Sequence, residues 1–278
     1  MGIIDFIKSF RKPYIPTVGL GAIPSIFDER DRKYSDYISS GSISGLPNKY
    51  VTSYPEHVYN QYKTNMCVAC SLALIRYIQT YIQTGKEINF DPLFIYANRD
   101  DPEYNYYKGE GMSPRDAVSI VRKFGDSIWN DNYSGFYDYN KAVKIFKAHA
   151  EDMIKEAAPY KIDSYYAITS VNDIKNAIIS FGAVSTMFPV YKCLYKPKMD
   201  TNRGVSVVPF SILYRAQKIE GYHQMTIIGW DDDQWIVQNS WGVMYGVHGI
   251  VYIPMSYPTI ESWAIIDTYN ENDKIVIK

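Results

Sequence analysis

Up to Gly182 the apolar residues of this chain recur mainly every three or four positions; beyond it they come in short runs between turn residues. That change limits the fold more than any other property of the chain. Side chains repeating at the helical period cannot line one face of a strand, and alternating ones cannot line one face of a helix. From Cys67 to Thr84, Val68, Leu72, Ile75, Ile78 and Ile82 share helical spacing and Gly85 can close the helix, which predicts a buried central helix. A second helix is punctuated by Ser113 as N-cap, Pro114 at the first helical position, Asp116 in the first turn and Gly125 at the end. A third spans roughly Tyr139 to Ala158, and a fourth opens at Ser170 with Asp173 three residues on and stops at Gly182. The runs Val184–Val190, Val205–Phe210, Met225–Trp230, Trp235–Gln238, Ile250–Ile253 and Trp263–Ile266 then read as strands, with Asp231-Asp232-Asp233 as a hairpin turn. Helices first and strands second predict an α+β protein, with a helical lobe over about 51–160 and a β lobe over about 161–278.

Residues 1–50 differ from the rest. Pro13, Pro16 and Pro24, the charged patch from Asp28 to Lys33 and the turn-rich stretch SSGSISG predict an extended arm preceding a domain at 51–278. Ile3 to Phe10 reads as a short amphipathic helix packed on the body. No secretory signal follows it, and Phe6 stands where a myristoylation signal needs Ser or Thr.

A formal net charge of −1, from 29 basic and 30 acidic side chains, gives no electrostatic case for nucleic acid. No apolar run is long enough for a membrane span. Three cysteines, Cys67, Cys70 and Cys193, are too few for a disulfide framework and predict a reducing setting, cytoplasmic or virus-associated. No ligand spacing suggests a metal, and no cofactor is expected.

Thiol chemistry requires a stabilised thiolate, a nearby imidazole and donors for an oxyanion. Cys67 is expected at the N-terminus of the central helix, where free N–H groups and the helix dipole favour a thiolate. Gln61 lies in the loop entering that helix, with an amide able to aim an N–H at the oxyanion beside the Cys67 N–H. Among four histidines, His57 precedes Gln61 in a loop, His149 lies in a charged helix and His248 sits in a loop; His223 stands at the mouth of a strand. Asn239 ends the next strand, so a hairpin can bring its side-chain oxygen to His223, with Trp241 shielding that bond from water. Cys70 reads as a buried small residue and Cys193 as structural.

These blocks resemble the papain/cathepsin-like cysteine peptidases. Gln61-Tyr62-Lys63-Thr64-Asn65-Met66-Cys67-Val68-Ala69 is similar to the family's Gln-x5-Cys-x-Ala block. GYHQMTIIGWDDDQWIVQNSWG resembles its His block followed by Asn-Ser-Trp-Gly, and the resemblance covers about residues 51–267. It is closest to disulfide-free bacterial, archaeal or viral members, which carry a stretch like Asp28-Glu29-Arg30-Asp31 before the domain.

The resemblance implies two lobes, one helical and one an antiparallel barrel-like sheet, with the active site in the cleft between them. It implies a cysteine endopeptidase acting on peptide or protein substrates through a Cys67 thioester, with His223, Asn239 and Gln61 completing the catalytic set. Departures fall around the cleft. Asn65-Met66 replaces Gly-Ser, Val68 an aromatic and Gln224 a small residue. The Gly-Gly segment that pairs with substrate backbone appears only as Gly111-Met112. Met66, Gly111, Met112, Gln224 and Trp241 are therefore the expected substrate-binding positions. Two rivals remain open at this point: a catalytically silent binding or structural module on the same fold, and a thiol acyltransferase or deamidase.

Overall fold

A computed structural model describes residues 18–38, 45–100, 111–130 and 139–267; the segment Ile3–Phe10 and most of the SSGSISG stretch lie outside them. A short helix α1 (Tyr34–Tyr37) and strand β1 (Lys49–Val51) lead into the central helix α2 (Cys67–Thr84). Helices α3 (Pro92–Ala97), α4 (Pro114–Phe124) and α5 (Tyr139–Ala157) follow. Then come β2 (Ser164–Ile168), α6 (Val171–Phe181), β3 (Val184–Pro189), β4 (Lys198–Asp200), β5 (Val205–Val207), β6 (Tyr222–Asp231), β7 (Gln234–Gln238), β8 (Ile250–Pro254) and β9 (Glu261–Ile266).

The helix signals read from the sequence operate as expected. Ser113 Oγ accepts from the Asp116 N–H at 3.1 Å and Ser170 Oγ from the Asp173 N–H at 3.0 Å, each satisfying an orphan donor of a first turn. Gly85 closes α2 in the left-handed conformation, with its N–H on the Tyr81 carbonyl. Helix α3 lacked enough apolar length to be read, but Asp91 caps it and Pro92 opens it. Ile82, expected on the buried face of α2, is 52% exposed, because continuous burial ends at Thr80 and the last turn lies outside the packed region.

The strands form one sheet in the order β2-β9-β3-β6-β7-β8-β5-β4, with β1 also pairing on β6. Every ladder is antiparallel except β5 with β8. Three short strands were not anticipated: β1, β2 and β4. The expected strand from Val205 to Phe210 ends at Val207, just before Val208 and Pro209; Pro209 lacks the N–H a ladder needs. Asp232 and Asp233 make the two-residue turn between β6 and β7, with Asp232 at φ 52°.

Alternation along the strands builds two cores, one on each sheet face. Met187, Ile228, Ile236 and Ile265 face α2 and pack with Leu72, Ile75 and Ile78. Val184, Phe188, Ile227, Trp235 and Val237 face the other way and pack with Ile174 and Ile178 of α6. Two lobes thus meet where α2 lies on β3 and β6. There Ser71 Oγ bonds Ser185 Oγ and Thr226 Oγ1, both at 2.9 Å. Such a bond nets about 0.5–1.5 kcal/mol, against about 1.5–3 kcal/mol for each fully buried Ile. Apolar packing holds the helix down, and the hydroxyls fix where along the sheet it sits.

Ser170→Ala removes the cap of α6 and is expected to lower global stability by about 1 kcal/mol. A urea midpoint indistinguishable from the parent's would show that the cap contributes nothing.

Candidate active site

Cys67 is the first residue of α2, preceded by Met66 in the N-cap position, and is completely buried. The backbone N–H groups of Gln224, of Gly21 and of its own first turn approach its sulfur. These donors favour a thiolate, as the sequence predicts, but burial outweighs them and pushes the Cys67 thiol above its ordinary range. The expectation of a lowered pKa is thus corrected for the described state, because the sulfur is sealed from water.

His223 lies second in β6, and Asn239 directly follows β7. The β6–β7 ladder runs back to Thr226↔Gln238, which brings the two side chains together. His223 Nε2 is 2.7 Å from Asn239 Oδ1. The Ser240 N–H donates to the same Oδ1 at 2.7 Å, so that atom must be the amide oxygen. An oxygen without hydrogen can only accept; Nε2 therefore carries the proton, and Nδ1 is the basic nitrogen. Nδ1 has no hydrogen-bond partner. Burial lowers the His223 pKa to about 4, with the bond to Asn239 acting in the opposite direction. Trp241 covers the pair: its ring lies 4.6 Å from that of His223, Tyr195 stacks on it at 5.5 Å and Tyr245 meets it edge-on at 4.8 Å. Trp241 is 1% exposed, a cover over the imidazole in place of an open substrate surface.

Gln61 is fully buried and locked to the segment after Asn239. Its Oε1 accepts from Ser240 Oγ at 2.7 Å and its backbone N–H reaches the Ser240 carbonyl at 2.9 Å. Both hydrogens of its amide are engaged: Nε2 donates to the Thr64 carbonyl at 2.9 Å and to the Gly19 carbonyl at 3.0 Å. The sequence placed that amide facing an open site; the structure places a carbonyl of the N-terminal segment on it.

That segment threads the cleft. Met112 N–H donates to the Gly21 carbonyl at 2.9 Å, Ile23 N–H to the Met112 carbonyl at 3.1 Å, and Ala22 pairs with Met112 in a parallel bridge. The fit requires glycine. A Cβ on Gly19 would lie 2.2 Å from Asn65 Oδ1, and one on Gly21 would lie 2.0 Å from the Asn65 carbonyl. Further along, Ser25 donates through N–H and Oγ to Glu261 Oε1 at 3.2 and 3.1 Å, and Arg115 pairs with Asp31.

The expected cleft positions divide. Met66 and Met112 are buried beside the threaded segment, and Gly111 takes φ +115°. Gln224, expected to add bulk to the cleft, turns its side chain inward instead, donating from Nε2 to Ser185 Oγ at 2.8 Å; it is the backbone N–H that reaches Cys67. Cys70 is a buried residue of the α2 core, and burial pushes Cys193 up to about 11. All three cysteines are free. His57 packs between Tyr59 and Tyr77, and His248 meets Glu56 on the surface. No group of metal-ligating side chains occurs among the described residues, and no helix among them is long and apolar enough to cross a membrane. Ser240 and Thr64, which fix the Gln61 amide, were not singled out from the sequence; a serine beside an asparagine carries no signal of the loop it will face.

A cysteine thus opens the central helix, and a bonded histidine–asparagine pair stands on the β6–β7 hairpin of the other lobe. Residues 57–265 match the family model described as papain family cysteine protease, and the chain belongs to that family. An uncharacterised peptidase C1-like protein of Acanthamoeba polyphaga mimivirus is 26% identical over 229 residues, 74% of this chain and 71% of that protein. Among solved structures, xylellain, a cysteine protease from Xylella fastidiosa, superposes with a TM-score of 0.71 at 24% identity, covering 92% of this chain and 98% of that one. A procathepsin B from Trypanosoma congolense matches with a TM-score of 0.63 at 15% identity, covering 90% and 87%.

A thiol titrating above its ordinary range sets a pH dependence. In the full-length protein, alkylation of Cys67 by iodoacetamide should rise about tenfold per pH unit between about pH 6 and 8, following the thiolate fraction. A plateau across neutral pH would show an imidazolium–thiolate pair already formed.

Proposed function

We propose that the protein is a cysteine endopeptidase that hydrolyses peptide bonds through a Cys67 thioester, held in check by its own residues 1–50. The observation that carries the reading is the Nε2–Oδ1 bond between His223 and Asn239, which fixes the tautomer and leaves Nδ1 as the base. Once the arm leaves and water enters, the burial that keeps thiol and imidazole neutral is relieved. Nδ1 then takes the Cys67 proton, and the thiolate attacks the substrate carbonyl carbon. The resulting oxyanion occupies the place of the Gly19 carbonyl, where Gln61 Nε2–H and the Cys67 N–H can donate to it. The proton on Nδ1 passes to the leaving amine, giving the thioester. Nδ1 next removes a proton from water, which attacks the thioester and releases the acid; that proton returns to the sulfur.

The substrate is a peptide or protein, and its backbone is read by Met112, as the arm is now. The domain from residue 51 onward carries the chemistry, with the helical lobe over about 51–160 and the β lobe after it. The free cysteines and the mimivirus relative support a reducing, virus-associated setting.

The glycines of the arm supply a test within the full chain. Gly21→Ala puts a methyl into the Asn65 carbonyl and should expel the arm, raising peptide turnover by about tenfold or more. Turnover equal to the parent's would remove the inhibitory role. Adding Cys67→Ala to that variant should abolish hydrolysis and labelling by a thiol-directed peptidyl epoxide, and retained cleavage would sink the assignment of the nucleophile. Gln61→Ala in the same background should cost about 10²–10³ in kcat.

A further inference from the structure

Gly111, the residue before the backbone-reading Met112, is gripped from below on both of its peptide groups. Its N–H donates to Tyr96 Oη at 2.9 Å, and its carbonyl accepts from Arg99 Nη1 at 2.6 Å. Both partners are buried: Tyr96 in α3 is fully covered, and Arg99, in the single 3₁₀ turn after it (Asn98–Asp100), is 8% exposed. They also hold each other, with the Arg99 guanidinium 4.5 Å above the Tyr96 ring. The platform itself is tied down, by Asp91 Oδ1 accepting from the Leu93 N–H at 2.9 Å and by Asn98 Nδ2 donating to the Phe94 carbonyl at 2.8 Å. On the other side of Met112, Ser113 caps α4.

A buried guanidinium and a buried phenol each hold one peptide group of Gly111, and a buried polar group left unpaired is costly. Gly111 has no side chain of its own to anchor it, and its φ of +115° is a conformation that side chains rarely tolerate. Yet the next residue must present its N–H and C=O at fixed spacing to an extended chain. The arm shows which part of that chain is read: Gly21 lies at the Cys67 sulfur, and its neighbour Ala22 pairs with Met112.

We infer that Arg99 and Tyr96 are positioning residues for substrate recognition: they clamp Gly111 so that Met112 pairs with the substrate residue one removed from the scissile position. They touch neither the substrate nor the reacting atoms and act through Gly111. The inference rests on the peptidase reading and adds a length requirement to it. A peptide that offers Met112 both an N–H and a C=O gains fully from the clamp; an ester of a single blocked amino acid offers it only the carbonyl of the blocking group.

The test uses full-length protein carrying Gly21→Ala, so that the arm does not compete, and compares kcat/KM for a blocked dipeptide amide with that for a blocked single-residue ester. Tyr96→Phe removes the acceptor for the Gly111 N–H and should lower the dipeptide-to-ester ratio about tenfold, the size of effect expected from one unpaired buried donor. Arg99→Ala should lower it at least as far, and Arg99→Lys should restore part of it. A variant ratio within about twofold of the parent's, or a parent that cleaves the ester without preferring the dipeptide, overturns the clamp and leaves the peptidase reading standing. A parent that cleaves neither substrate overturns both.

Discussion

The structure depends on the seating of one helix on one sheet. α2 buries its residues continuously from Cys67 to Thr80, and its inner face lies on β3 and β6. Were that contact to shift by one helical residue, the Cys67 sulfur would turn by about 100° away from the strand that carries His223. The hydroxyl triplet of Ser71, Ser185 and Thr226 lies one turn beyond Cys67 and discourages such a slip, because sliding would leave buried oxygens unpaired. Fold and site are therefore one specification. The polar contacts that fix the lobe interface also fix the sulfur against the Gln224 N–H.

Several features were legible in the sequence because their signals are local. Ser113, Pro114 and Ser170 announce helix starts through atoms two or three residues away. The hairpin from His223 to Asn239 is a short-range return across a two-residue turn, so the pairing of imidazole and amide could be read from spacing. What escaped reading depends on partners far along the chain. β2 was missed because its pairing partner is β9, about a hundred residues later, and only that pairing makes Ser164–Ile168 a strand. Gln224 was placed in the cleft because the strand's alternation could not say that Ser185 would draw its amide inward. The Cys67 pKa was expected low because the helix terminus is visible in sequence, whereas the lid that buries it comes from Gly19 and Gly21, more than forty residues upstream.

Tyr96 and Arg99 show the same limit. Nothing near them in the chain marks either as more than core and surface, yet they meet at a glycine beyond residues 101–110. Their two hydrogen bonds hold Gly111 beside an edge that pairs with a single residue of the arm.

The direction in which the arm lies across that edge has a chemical consequence. Its pairing with Met112 is parallel, so the Gly21 N–H approaches the sulfur while the Gly19 carbonyl lies on the Gln61 amide. A peptide running the other way along that edge would present its N–H and C=O groups to Met112 in the reverse order. Chain polarity is thus the property by which the arm and an oppositely running peptide differ on one and the same edge.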